Sequence, residues 1–160
     1  KVDAACLGLS GHSQGGVGVF NAISEQPNGG LYTCAVSLSP TQEDLAAALN
    51  IPYDPSKTVI PTLALAGTNS DVITPEGMES LYNKLGGPKA MALRAGTDHG
   101  QMLYSGDGYA TAWFLYWLKG DKEAGIAFWG ESPELARNPN WQQVQISGNG
   151  GQEPPRDMGC

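Results

Sequence analysis

Residues 11–16 read GHSQGG and follow the apolar run VDAACLGLS. The pattern Gly11-x-Ser13-x-Gly15 sets one hydroxyl between two glycines where a buried strand stops. A strand before it and a helix after it are the context in which G-x-S-x-G reads as a nucleophile elbow. Such a turn is sharp and strains the serine backbone, so glycine is expected at both Gly11 and Gly15, where a side chain would collide with the neighbouring backbone. The turn lifts the Ser13 hydroxyl above the sheet edge. It also aims the N-terminus of the next helix at the same spot, where the backbone N–H of Gln14 can hold an oxyanion. Glycine-rich turns after strands are common, so the motif gains force only if partners for the serine exist.

A serine nucleophile needs a base, and the base needs an orienting acid. The chain has two histidines. His12 adjoins the serine, so its side chain should leave the elbow in another direction and serve packing or loop support. His99 stands in AGTDHGQM, just past a strand pattern, where the active sites of α/β sheets assemble. The bland reading of His99 is an ordinary loop residue. Asp71, in AGTNSDVITP, follows another strand end and is the candidate acid; its bland reading is a turn or cap residue. Asp98 adjoins His99 and is expected to point to solvent. The order Ser13, Asp71, His99 is the one a G-x-S-x-G hydrolase uses.

These loops need a scaffold, and the pattern supplies one. Val2–Ser10, Leu31–Ser39, Thr58–Ala66 and Lys89–Arg94 read as strands buried on both faces. Helical patterns follow at Val17–Gln26, Glu43–Asn50 with Thr41 as cap, Thr74 to about Leu85 with threonine cap and Pro75 in the first turn, and Gly108–Lys119 continuing to about Phe128. Strand and helix alternate four times, which is an α/β fold with a parallel sheet. Residues 1–137 are expected to fold, starting at the nucleophile strand. Residues 138–160, ending SGNGGQEPPRDMGC, read as a Gly/Pro-rich C-terminal tail.

Composition narrows the function. The 160 residues are 41% hydrophobic, enough for one globular core, and the net charge is −7. No cluster of Lys and Arg marks a nucleic-acid or anionic-membrane partner, and no apolar run is long enough for a membrane span. Two separated histidines and three scattered cysteines give no metal-ligand spacing, so no metal is expected. Cys6 and Cys34 lie in strand-like runs and read as buried free thiols. Cys160 at the end of the tail reads either as a bridge to something outside this chain or as a frayed thiol.

Taken together, the elbow GHSQGG, the acid loop D-x-I-x-P (Asp71, Ile73, Pro75), the stretch KAMALRAGTDH and the helix AWFLYWLKGD resemble the α/β-hydrolase superfamily. Within it they are similar to the polyesterase–lipase–cutinase group of bacterial esterases. The resemblance covers about residues 2–130. It implies a secreted serine carboxylesterase without cofactor, with Ser13 as nucleophile, His99 as base and Asp71 as acid. The chain departs from that group in carrying Gln14 where methionine is usual, and in the loop SLSPTQED, which has no aromatic residue. The resemblance also implies a sheet of about eight strands, of which the last four are present here. An N-terminal half of the same domain, as a separate chain or missing, is therefore the expected partner; it would bring the second oxyanion donor and cover an otherwise open sheet edge.

Only Pro40–Lys57 separates the second and third strands, too short a span for a cap domain. The site is expected to be open and suited to bulky or polymeric esters. A peptidase or acyltransferase of the same fold shares this chemistry, and a non-catalytic interaction module is the alternative of a different kind.

Overall fold

In a computed structural model, which describes residues 6–26 and 30–148, the strands form one sheet in the order β1-β2-β3-β4-β5. β1 (Leu7–His12), β2 (Tyr32–Leu38), β3 (Thr62–Asn69) and β4 (Lys89–Asp98) are parallel, and β5 (Trp141–Ser147) returns antiparallel along β4. Helices α1 (Gln14–Ser24), α2 (Glu43–Ala48) and α3 (Pro75–Lys84) fill the crossovers, with α4 (Met102–Ser105), α5 (Asp107–Lys119), α6 (Lys122–Gly125) and α7 (Glu134–Arg137) after β4. This is a mixed α/β architecture with the elements in the expected order.

The sheet is covered on both faces, which explains its nearly unbroken apolar strands. Leu63 and Leu65 of β3, with Val36 and Leu38 of β2, pack against Trp113, Trp117, Phe128 and Leu135. The alternate residues Ala64 and Ala66 face Phe20, Met78, Leu81 and Tyr82 instead. Trp113 is completely buried and meets Phe128 edge to face at 4.9 Å. The tryptophans thus lie on one face, and the alanines of β3 let α1 and α3 approach the other.

α3 starts as its sequence dictates: the Thr74 hydroxyl accepts the N–H of Gly77 at 3.0 Å, and Pro75 occupies the first turn. At its other end the Lys89 ammonium donates to the carbonyls of Tyr82 and Leu85, both at 2.8 Å, at the helix C-terminus where cations are favoured.

Several expectations need correction. The helix after β4 does not run on to Phe128. Gly120 adopts φ 66° and ends α5, and the Asp121 carboxylate caps a separate turn, α6, by accepting from the N–H groups of Glu123 and Ala124. Thr41 does not cap α2; Gln42 holds that position, and the Asp44 carboxylate accepts the Leu45 N–H. β4 continues to Asp98 rather than stopping at Arg94. Residues 138–147, assigned to the tail, instead carry the fifth strand, with Trp141 buried against the core. Residues 149–160, the rest of that segment, lie outside the described residues.

The cysteines also divide differently. Cys34 is a buried free thiol, and burial pushes its pKa up to about 12. Cys6 is not free, because it is disulfide-bonded. Cys160 lies outside the described residues.

Candidate active site

The elbow is built by backbone contacts at the end of β1. Ser13 sits between the last residue of β1 and the first of α1 with φ 61° and ψ −124°, a conformation that L residues adopt only when the surroundings enforce it. Its N–H donates to the Leu38 carbonyl at 3.0 Å, and its own carbonyl accepts the N–H of Val17 at 3.2 Å. The first bond ties the turn to the end of β2 and the second starts the helix.

Glycine is required beside the serine, although not at both expected places. A Cβ on Gly11 would overlap the carbonyl of Gly15. A Cβ on Gly15 would meet nothing within 4 Å, so the collision expected there does not exist. The second tight position is Gly16, where a Cβ would lie 2.9 Å from Ser37 Oγ and 3.1 Å from the Pro40 α-carbon. Gly16 is buried under the β2–α2 loop, and its carbonyl accepts the buried Ser37 hydroxyl at 3.1 Å. Gln14 opens α1, so its N–H is one of the first four that a helix leaves without an internal partner.

His99 follows β4 directly. A register shift between β3 and β4 at Gly67–Asn69 and a φ of 67° at Gly96 bend the end of β4. Gly67 has no room for a Cβ because the Thr97 carbonyl occupies that space. The bend delivers the His99 ring to the elbow: its Nε2 lies 2.9 Å from Ser13 Oγ. In the neutral ring with its proton on Nδ1, Nε2 accepts that bond from the Ser13 hydroxyl, which is the arrangement a general base needs.

Asp71 is not joined to the pair in the same way. It is exposed on the loop between β3 and α3, and His99 Nδ1 is buried with no hydrogen-bond partner. The carboxylate is nonetheless near enough to favour a charged imidazole. The net effect on His99 is in the other direction: burial, and then the neighbouring His12, hold its pKa below 6.5 against the opposing pull of Asp71 and Asp98. Asp98 is otherwise occupied, since its carboxylate accepts the Gln101 N–H at 2.8 Å.

His12 does support the loop. Its Nε2 lies 2.8 Å from the His99 carbonyl, and the two imidazoles stack at 4.5 Å. Gln42 is a site residue that sequence reasoning missed. Its side-chain carbonyl accepts the N–H and the hydroxyl of Thr74, both at 3.1 Å, and its own N–H donates to Val72 at 2.8 Å. It thereby pins the loop that carries Asp71 to the loop after β2. No pattern marked it, because a glutamine at a helix start carries no periodic or motif signal.

No protein-family model matches the chain, and no curated protein does. Among solved structures, it is similar to a puromycin hydrolase, in the crystal structure of a mutant complexed with PGG, with a TM-score of 0.57 and 16% sequence identity. The match covers 71% of this chain and 22% of the other. The chain carries the α/β-hydrolase fold. At this identity the similarity establishes the fold, and this chain spans about a fifth of the neighbour's length. The neighbour does not belong to the polyesterase–lipase–cutinase group by its name, so that finer resemblance gains nothing from it.

Proposed function

We propose that this α/β-hydrolase-fold chain carries the catalytic residues of a serine hydrolase that cleaves carboxylic esters through an acyl-enzyme. The observation that carries the reading is the 2.9 Å approach of His99 Nε2 to Ser13 Oγ across a strained elbow. Ser13 attacks the acyl carbon while His99 takes its proton; His99 then gives that proton to the leaving alcohol. The tetrahedral oxyanion forms next to the Gln14 N–H. Water, deprotonated by His99, releases the acid and restores Ser13.

Asp71 is assigned as the acid. When Nε2 accepts from Ser13, Nδ1 carries a proton, and a buried donor left without an acceptor costs about 1–3 kcal/mol. Asp71 is the carboxylate beside His99 that is not held by a backbone N–H, whereas Asp98 is. Rotation of Asp71 onto Nδ1 would satisfy that donor and stabilise the imidazolium formed during attack.

Two further parts of the reading concern the whole protein. β1 pairs with β2 on one side, and among the described residues nothing pairs with its other edge. An N-terminal half of the same domain, on this or another chain, would cover that edge and supply a second oxyanion donor. The disulfide at Cys6 favours an oxidising compartment, in keeping with a secreted enzyme. The short β2–β3 connection favours an open site and therefore bulky or polymeric esters of the lipase and cutinase kind.

Cleavage of an amide by the same residues is the second reading, and the similarity to a puromycin hydrolase favours it. Parallel assays with a p-nitrophenyl acyl ester and an aminoacyl p-nitroanilide separate the two. Turnover of the ester in excess supports the esterase; preference for the anilide replaces it with the amidase. Loss of neither activity in Ser13→Ala would sink both.

A further inference from the structure

We propose that His12 is a positioning residue for His99, clamping the base to the nucleophile strand through its own imidazole. This deepens the Ser13–His99 reading above and rests on it.

The need for a clamp follows from the topology. Ser13 leaves β1 and His99 leaves β4, with two strands between them. At the usual interstrand spacing, the two strands are about 14 Å apart. No hydrogen-bond ladder joins them, so small changes in twist or in either loop act directly on the Ser13–His99 distance. The base also leaves β4 beyond a register shift, where ladder bonds no longer fix the chain.

His12 bridges that gap at two points. Its Nε2 lies 2.8 Å from the His99 carbonyl, and a carbonyl only accepts, so His12 carries its proton on Nε2 and donates it. This bond holds the backbone of the base to the residue that immediately precedes the nucleophile. The rings meet at 4.5 Å with 28° between their planes, which restricts rotation of the His99 side chain. One side chain therefore fixes both where the base sits and which way its ring faces.

The same contact acts on proton affinity. The groups that face His99 are His12 from β1, Ser13 from the elbow, Asp71 from the β3–α3 loop and Asp98 from the end of β4. The two carboxylates favour the charged ring; His12 and burial oppose it. Replacing His12 by an uncharged residue removes one opposing influence and leaves both carboxylates in place.

The test uses two variants of the whole protein. His12→Phe keeps a ring to stack and loses the donor; His12→Gln keeps a donor near the Nε2 position and loses the ring. Each is checked for folding by its melting transition. Turnover of p-nitrophenyl butyrate and phosphonylation of Ser13 by a fluorophosphonate are followed against pH, and the His99 ring is titrated by NMR. The chain has two histidines, so each variant leaves one imidazole from this chain to assign. We expect kcat to fall by about 10- to 100-fold, as sub-ångström to ångström misplacement does, with KM little changed. We also expect the His99 midpoint to rise in both variants. A residue that only fills space would be replaced by the phenylalanine ring without loss of kcat. Wild-type kcat with an unmoved midpoint in both folded variants overturns the proposal and leaves the hydrolase reading standing. If wild-type Ser13 is neither labelled nor active, the hydrolase reading fails. NMR then decides alone: nuclear Overhauser effects between the His12 and His99 rings in the wild type support the clamp, and their absence overturns it.

Discussion

The carbonyl of Gly15 occupies the place that a Cβ on Gly11 would take, so the two glycines of the elbow are related by one contact rather than by two separate needs. Gly11 makes room for the backbone of Gly15, while Gly15 itself faces open space. Gly11→Ala must therefore displace the turn that holds Ser13. It should lower kcat/KM by at least about 100-fold, the scale of an ångström misplacement. Gly15→Ala should keep the elbow and leave the melting temperature unchanged or slightly raised, because alanine is favoured over glycine in a helix by about 1 kcal/mol. Steady-state assays and thermal melts of the two variants check the contrast.

The acid is separable from its neighbour by mutation. Asp71→Asn should reduce kcat by about 10³- to 10⁴-fold, the effect of losing the carboxylate that orients a catalytic imidazole. Asp98→Asn should retain activity within a few-fold, since that carboxylate holds the Gln101 N–H rather than the ring. The reverse ranking in ester hydrolysis would reassign the acid.

Activity should persist as pH falls through 6.5. Burial and His12 hold the His99 pKa below 6.5, so the neutral, proton-accepting ring persists as pH falls through that value. The acid limb of kcat/KM should have its midpoint below 6.5, and Asp71→Asn should move it lower still because the carboxylate favours the charged ring. A pH–rate profile with a midpoint above 6.5 would contradict this.

β5 gives a stability prediction. Trp141 is buried, meets Tyr109 edge to face at 5.2 Å and lies 5.7 Å below the Arg94 guanidinium. Trp141→Ala should cost about 3–5 kcal/mol of folding stability, as truncation of a buried tryptophan does, measured by urea unfolding. A cost below about 1 kcal/mol would mean that β5 is not part of the core.

That strand also explains where sequence reading stopped. The parallel strands were legible because burial on both faces makes them continuously apolar, and the elbow because its glycines serve a backbone contact. β5 is different: it covers one edge, so most of its residues are polar, and its alternation is broken. Gln143 stands at φ 48° beside a register shift opposite Met91 and Leu93, which inserts an extra residue between Trp141 and Val144. A period of two cannot be seen across such a bulge. The stop at Gly120 was hidden because apolar residues resume over residues 124–128, beyond the charged stretch Asp121-Lys122-Glu123, although glycine at a left-handed helix end was the available signal. Of the candidate site, Ser13 and His99 could be placed by motif and strand order. The roles of His12 and Gln42 depend on contacts between distant loops, which no local pattern encodes.

The central claim is that Ser13 is activated by His99. It is tested most directly by treating the native protein with a fluorophosphonate, mapping the adduct by peptide mass spectrometry, and repeating the reaction with His99→Ala. A single adduct on Ser13 is expected, absent after denaturation and slowed by at least about 10³-fold without the imidazole. No adduct on Ser13, or one that forms equally fast in His99→Ala, would contradict it.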